Sequence, residues 1–303
     1  MRFLPLVLLS VLPAFAQQHS LYQSLDRGLT WTRAAASFPG NPRINALAAS
    51  SSTLFAGAAN GLYLSPLHGL AWRKATVPGN PRVNALAVTR STVFAATSSA
   101  GLFVSSDEGA NWAPLAGFPS RNVRSLLAAP SGLYAGTDAQ GVYHSIDGGQ
   151  SWLPLAAGLP ARSQVFALAM HRGTLYAALY AKGLFAWDAV RGQWARVGAV
   201  QPLALAASAS ALAVGHNPGG IFWAGEPLSV AWRRASAPFP ANAPVWEMAG
   251  GEDLLLAGAA AGVYRSLDGG RTWTAATQGL PPNSPGIAFL IHRDAAFAAL
   301  LTP

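Results

Sequence analysis

The sequence predicts an all-β fold, a seven-bladed β-propeller of four-stranded antiparallel blades. Three observations predict it. Tryptophan recurs at positions 31, 72, 112, 152, 194, 232 and 273, at intervals of 41, 40, 40, 42, 38 and 41 residues; a period near forty with strand-like content marks one propeller blade. Each period holds four short apolar runs separated by polar or Gly-containing turns, none long enough for an ordinary helix. Each end of the chain holds half a period, and the two halves are complementary.

In chain order, Met1-Arg2 is a short positive stretch, Phe3 to Leu12 is apolar, and Ala14-Phe15-Ala16 precedes Gln17 as an A-x-A cleavage signal. The apolar run is interrupted by Pro5 and Ser10 and is too short to span a bilayer. Residues 1–16 are therefore expected to be a signal peptide, cleaved near Ala16, and residues 17–303 one propeller domain, secreted or periplasmic. No other stretch could span a bilayer, so no stable membrane insertion is expected.

The domain opens with only two strands, Leu21-Tyr22-Gln23-Ser24 and Thr30-Trp31-Thr32. Six full units come next, beginning near Ile44, Val83, Val123, Val165, Leu203 and Val245. The second reads Val83 to Val88, Thr92 to Ala96, Gly101 to Ser105 and Asn111 to Leu115, which we label strands A to D from the axis outward. Strand A is rich in Ala, because inner strands crowd toward the axis. Strand C opens on Gly and carries Tyr or Phe two residues on, as in Gly61-Leu62-Tyr63 and Gly262-Val263-Tyr264; the Gly permits a positive φ or a close approach by a neighbour. The chain closes with only A and B, Ile287 to Leu290 and Ala296 to Ala299. Pairing of residues 296–300 with 20–24 would make the seventh blade and remove the exposed sheet edges.

Composition narrows the partner. The formal charge is +8 and the pI about 10.4, yet the basic residues are scattered, adjacent only at Arg73-Lys74 and Arg233-Arg234. No basic helix or run exists for a nucleic-acid footprint, so no nucleic-acid partner is expected. The chain has no cysteine, which excludes disulfides, a thiol nucleophile and thiolate metal sites. No His pair has metal-ligand spacing. His144 falls on a strand, His68, His171, His216 and His292 read as turn residues and His19 is terminal; all are expected to be polar surface. No metal or cofactor is expected, and the expected state is a monomer.

The stretches that end at the Trp residues are themselves patterned. Ser24-Leu25-Asp26-Arg27-Gly28-Leu29-Thr30-Trp31 and Ser266 to Trp273 are the clearest, with 145–152 carrying Ser for Thr and 105–112 nearly whole. The pattern decays at 65–72 and 225–232, and at 186–194 Asp188 lies one residue too far from Trp194. The physical reading is a C–D hairpin turn. Its Asp accepts backbone N–H bonds, its Gly takes a positive φ, and its Trp tucks into the blade. Asp26, Trp31, Asp107, Trp112, Asp147, Trp152, Asp268 and Trp273 are thus structural candidates. An enzyme does not need four copies of a nucleophile.

This stretch resembles the Asp box, or BNR repeat, of sialidase-like propellers, and the resemblance covers essentially the whole mature chain. Families with the box include sialidases, large Asp-box glycosidases, the sortilin-type ectodomain, and the photosystem II stability/assembly factor group. The compact layout and exported N-terminus look most like the last group, which implies a noncatalytic assembly or interaction module.

A glycosidase needs two carboxyl groups at a defined separation, and a sialidase-type site needs an Arg trio, a Tyr with a Glu partner and an Asp acid. In an up-and-down blade the A–B and C–D turns share one face, and the B–C loops and D–A connections share the other. In the sialidase-like families the substrate binds opposite the boxes. Of twelve carboxylates, four are box residues, and Asp188, Glu226, Glu108, Glu252, Asp253 and Asp294 fall on the box face. Only Asp138 and Glu247 remain, in blades three and six, too far apart around the ring to cooperate. Among the Tyr residues Tyr180 alone departs from the strand pattern. No catalytic residue is assigned.

The second face carries positive charge instead. Arg43, Arg82, Arg121, Arg124 and Arg162 come from successive D–A connections and Lys182 from a B–C loop. Asn45, Asn84, Arg124, Phe166, Leu203, Trp246 and Ala288 align as a ring at the axial mouth. An arc of Arg facing an aromatic suits an acidic protein segment or an anionic glycan, although Arg is also simply tolerated in solvated loops. The expected function is an exported, noncatalytic binding or assembly propeller recognising a protein through this face, with Arg43, Arg82, Arg121, Arg124, Arg162, Lys182, Trp246 and Glu247 as candidate contacts. The alternative is a carbohydrate-binding or sialidase/glycosidase-like propeller.

Overall fold

A computed structural model describes residues 18–34, 38–67, 71–90, 92–198, 201–217, 219–225, 232–236, 239 and 243–302. The expected signal segment, His68 and Glu226 lie outside the described residues. The described chain forms seven four-stranded antiparallel sheets, with no helix among them. No helix is therefore long and apolar enough to cross a membrane.

Six blades are continuous in sequence, their A strands being Ile44–Ala49, Val83–Thr89, Val123–Ala129, Val165–His171, Pro202–Ala207 and Val245–Gly250. The seventh is composite. Gln18–Ser24 and Thr32–Arg33 supply its outer strands, and Gly286–His292 and Ala295–Thr302 its inner ones. Gln18 to Ser24 pair with Thr302 to Ala296 over seven residues, which is the closure the complementary ends predicted.

Each hydrophobic core cluster joins two neighbouring blades rather than filling one. Phe55, Leu62 and Leu64 of blade one pack with Val93, Phe103 and Trp112 of blade two, and Leu21 and Phe297 of blade seven pack with Ile44 and Leu54 of blade one. Close approach between blades explains the small residues of strand B. A Cβ on Gly57 would lie 2.6 Å from Val83, and one on Gly136 2.6 Å from Val165 and 2.2 Å from Ser125 Oγ.

The tryptophans hold blades together as well as turns. The backbone N–H of Trp194 donates to Ala157 of blade three and that of Trp31 to Gln278 after blade six, at 2.8 and 2.9 Å. The indole N–H of Trp194 reaches Leu155 O at 2.8 Å and that of Trp232 reaches Val197 O at 2.7 Å. The ring of Trp273 is fully buried.

The Ser-x-Asp turns have the predicted geometry. Asp26 accepts from Leu29 N at 3.0 Å, Thr30 N at 2.8 Å and the Thr30 hydroxyl at 2.5 Å. Ser24 Oγ donates to Asp26 and accepts from Gly28 N, both at 2.8 Å, and Gly28 sits at φ 78°. The Thr30 hydroxyl, with backbone and Ser24 donors, holds the Asp26 carboxyl down at about 2. In blade two the Asn111 backbone and side chain do the same for Asp107, also to about 2, and the Ser151 hydroxyl lowers Asp147. At Asp188 the extra residue is absorbed by a longer outer strand, Gln193–Gly198, with Asp188 accepting from Val190 N and Arg191 N at 3.0 Å.

The histidines depart from expectation. His19 and His171 are buried, and both, like His216 and His292, belong to strands. His171 Nδ1 bonds Ser208 O of the next blade at 3.1 Å, and burial lowers its pKa.

Candidate functional site

The two faces separate as the meander requires. On the box face, Arg27 of blade seven pairs with Asp253 in the A–B turn of blade six at 2.5 Å. Glu108, beside the blade-two box, accepts from Ser50 and, at 3.3 Å, from Ser52 in the A–B turn of blade one. These carboxylates tie turns together.

The opposite face is organised around the axis by a bulge near the start of every strand A. Register shifts fall between Ile44 and Ala46, Val83 and Ala85, Val123 and Ser125, Val165 and Ala167, Pro202 and Ala204, Val245 and Glu247, and Gly286 and Ala288. A bulge inserts one residue and re-aims the side chains beyond it. The axial cavity, about 210 Å³, therefore has three rows of lining. At the mouth stand Asn45, Asn84, Arg124, Phe166 and Leu203. Below them is a row of small residues, Ala46, Ala85, Ser125, Ala167, Ala204 and Ala288, interrupted only by Glu247. The lining ends on Leu47, Leu86, Leu126, Leu168, Leu205, Met248 and Phe289.

Two sequence assignments change here. Trp246, 37 % exposed, holds the mouth position of blade six by register but does not line the cavity, and Glu247 lies in the second row. In blade seven the mouth position belongs to Ile287, and Ala288 is in the second row. The polar mouth residues are also structural. Asn45 Nδ2 donates to Val83 O at 2.9 Å and Asn84 Nδ2 to Val123 O at 2.8 Å, and Ser125 Oγ repeats the bond to Val165 O at 3.0 Å. Each ties an inner strand to the next.

Glu247 is surrounded by protein, although the open cavity leaves it partial solvent contact. Burial pushes its carboxyl up to about 8, opposed by a hydrogen bond from the Met248 backbone N–H. Water in the cavity works against that rise.

Beside the mouth lies a groove of about 350 Å³ lined by Arg82, Asn84, Ser98, Asn122, Arg124 and Asp138. Arg124 belongs to strand A rather than the preceding connection. Its Nε pairs with Asp138 and its guanidinium lies 4.9 Å from the centre of the Phe166 ring. Phe166 in turn stacks on Tyr180 at 4.9 Å and 24°, and Tyr180 is 51 % exposed. Arg82 donates to Asn84 Oδ1 at 3.2 Å. Its pKa is lowered by partial burial and by the nearby charges of Arg43 and Arg124, so three cations of successive blades lie within electrostatic reach. Arg43, Arg121 and Arg162 are exposed. Lys182 is half-buried and spends its ammonium on Ala161 O and Arg162 O, the latter at 3.1 Å. It fastens a loop and is not a free contact.

The sequence reading missed a second set of cations. Arg33, Lys74, Arg196 and Arg234 occupy one position of strand D, opposite the strand C aromatics Tyr22, Tyr63, Phe185 and Phe222. A Cβ on Gly61 would lie 3.1 Å from Lys74, one on Gly183 2.9 Å from Arg196, and one on Gly220 3.2 Å from Arg234. The bare glycines that open strand C thus make room for these side chains, which reach the rim of the basic face. The signal was present as a cation two residues after four of the Trp residues.

Among the described residues, the axial cavity and the groove each hold one carboxyl, Glu247 and Asp138, and Tyr180 lines neither. No group of three or more His, Asp or Glu residues that could hold a metal occurs among them.

A family model described as "DUF6242 beta propeller domain" matches residues 11–139. No curated protein matches the sequence. Among solved structures, YCF48 from Cyanidioschyzon merolae is similar with a TM-score of 0.68 at 14 % identity, over 88 % of this chain and 97 % of that one. A structure described as YCF48 bound to D1 peptide has a TM-score of 0.68 at 17 % identity, over 88 % and 93 % of the two chains. A GH74 xyloglucanase from Xanthomonas campestris has 0.69 at 18 % identity over 90 % of this chain, which spans about half of that enzyme (53 %). These likenesses share the propeller fold.

Proposed function

We propose that this chain is an exported, noncatalytic propeller of the Asp-box type that captures an acidic segment of a protein partner on its basic face. The observation that carries the reading is the arc of Arg43, Arg82 and Arg124, close enough for the outer two to depress Arg82, with only Arg124 held by a carboxylate. Cations placed together without counter-charges favour an anionic partner. The rim cations Arg33, Lys74, Arg196 and Arg234 widen the same field. A propeller of similar fold bound to a peptide, YCF48 with D1 peptide, supports the partner class. The apolar N-terminal stretch ending in Ala14-Phe15-Ala16 supports export. The Ser-x-Asp turn geometry supports the Asp-box relationship.

Replacing Arg43, Arg82 and Arg124 together by Glu should abolish capture of the partner from a periplasmic extract, with the melting curve as the check on folding. Capture by the wild type should weaken as salt is raised well above about 0.1 M, where exposed charges are already screened within about 10 Å. Unchanged capture by a folded triple variant removes the basic face from the mechanism.

The stacked Phe166–Tyr180 pair beside the groove and the similar fold of a GH74 xyloglucanase favour a second reading, a carbohydrate-binding or glycosidase-like propeller. Binding or hydrolysis of xyloglucan oligosaccharides that is lost in Tyr180→Ala would establish it over the first.

A further inference from the structure

Glu247 stands in a row that otherwise admits nothing larger than Ser125. With Ala or Ser in the six other blades, its carboxyl has free space in front of it and an apolar floor of Leu, Met and Phe below. The propeller has no structural use for it. Among the described residues Glu247 makes no ion pair and no side-chain hydrogen bond, and only the Met248 N–H serves its charged form. A carboxyl largely withdrawn from water without a charge partner is costly, and an uncompensated acid in a concave site points to a ligand that brings the missing partner.

The remaining lining says what kind of ligand. A bare cation would have to pass the positive field of Arg43, Arg82 and Arg124, whereas a molecule that also carries a carboxylate is drawn to it. Arg124 engages Asp138 through Nε, and both of its Nη groups are without a hydrogen-bond partner among the described residues, the arrangement that receives a carboxylate end-on. Phe166 at the mouth offers an apolar wall between the two ends. The volume of about 210 Å³ is below the roughly 300–1,000 Å³ of pockets for drug-sized ligands, so the occupant has about the size of a free amino acid.

We infer that the axial cavity is a binding site for a small zwitterion, with the ammonium or guanidinium end on Glu247 and the carboxylate end on Arg124 at the mouth. The site shares Arg124 with the arc that captures an acidic segment, whereas Glu247 belongs to the axial cavity alone. Glu247 is the one carboxyl in the lining and Arg124 the one other ionisable group there. When the cationic end arrives, Glu247 ionises and releases its proton to solvent. Binding at pH 7 is therefore accompanied by proton release.

The test is isothermal titration of the purified protein with L-arginine and L-lysine at pH 7, in two buffers of different ionisation enthalpy. The expected result is saturable 1:1 binding of at least one probe, with net proton release. Guanidinium chloride and sodium acetate, each carrying one end only, should bind at least tenfold more weakly. Glu247→Gln, which keeps the side chain's shape, should lower affinity at least tenfold and remove the proton release. The same variant should retain partner capture, so a failure here is distinguishable from a failure of the basic-face reading. Absence of saturable binding by both amino acids, or equal affinity of wild type and variant, overturns the proposal.

Discussion

Replacing Glu247 by Gln preserves the volume of the side chain and removes its titration, which makes stability against pH a direct probe of the axial cavity. In the fold, burial raises the carboxyl from 4.5 to about 8. A group whose folded pKa is raised contributes stability that is full below the unfolded pKa and is lost as pH rises through the folded one. The window is therefore pH 4.5 to 8. Each pH unit within it is worth at most about 1.4 kcal/mol, so the whole window is worth at most about 5 kcal/mol. Water entering the cavity solvates the carboxylate and cuts this somewhat; a carboxyl still protonated at pH 7 requires a loss of at least about 3.4 kcal/mol across the window. His19, His171 and His292 change charge in the same range, their pKa values lowered by burial. They titrate equally in both proteins and cancel in the difference. The assay is urea unfolding followed by the fluorescence of the ten tryptophans, at several pH values across the window. Wild type should lose ground to Glu247→Gln steadily as pH rises. A difference constant to within about 0.5 kcal/mol over the whole window would refute the reasoning.

Two further outcomes test the scaffold. Asp107→Ala should lower the melting temperature at pH 7 by removing the acceptor for Asn111 N and its side chain. The Asp107 carboxyl is depressed from 3.8 to about 2, so its stabilisation is present above the unfolded value and is lost as pH falls toward the folded one; calorimetry should show the gap between variant and wild type closing over that range. Gly136→Ala should destabilise by about 1–3 kcal/mol through overpacking, since its Cβ would meet Val165 and Ser125 of adjoining strands; an unchanged urea midpoint would show that the blades separate easily.

The box turns were legible because their determinants are local. Ser24, Asp26, Gly28 and Thr30 satisfy one another within seven residues, so the pattern alone specifies the turn. Closure was legible because strand number is a counting property of the chain. The axial site was only half legible. Period-two alternation places residues on faces, and the bulge in every strand A breaks that alternation at the mouth, so that successive residues of one strand, such as Arg124 and Ser125, both line the axis and Glu247 joins the second row. The rim cations Arg33, Lys74, Arg196 and Arg234 share a place in the repeat, two residues after a Trp, but that Lys74, Arg196 and Arg234 run beside the glycines that open strand C is a contact across the sheet which the spacing does not show. His171 reads as a loop residue until the next blade covers it.

The sequence by itself determined the repeat, the blade count, the composite seventh blade and the division of charge between two faces, since each comes from short-range pattern and the order of strands. Tertiary structure alone decided which side chains meet. Neighbouring blades set Glu247 in a row of alanines and one serine, stack Arg124 between Asp138 and Phe166, and bring Arg43 and Arg82 within reach of each other. Most of these contacts join residues about forty positions apart or lie across a register shift, and their energies depend on distance and on the surrounding medium, neither of which a periodic pattern specifies.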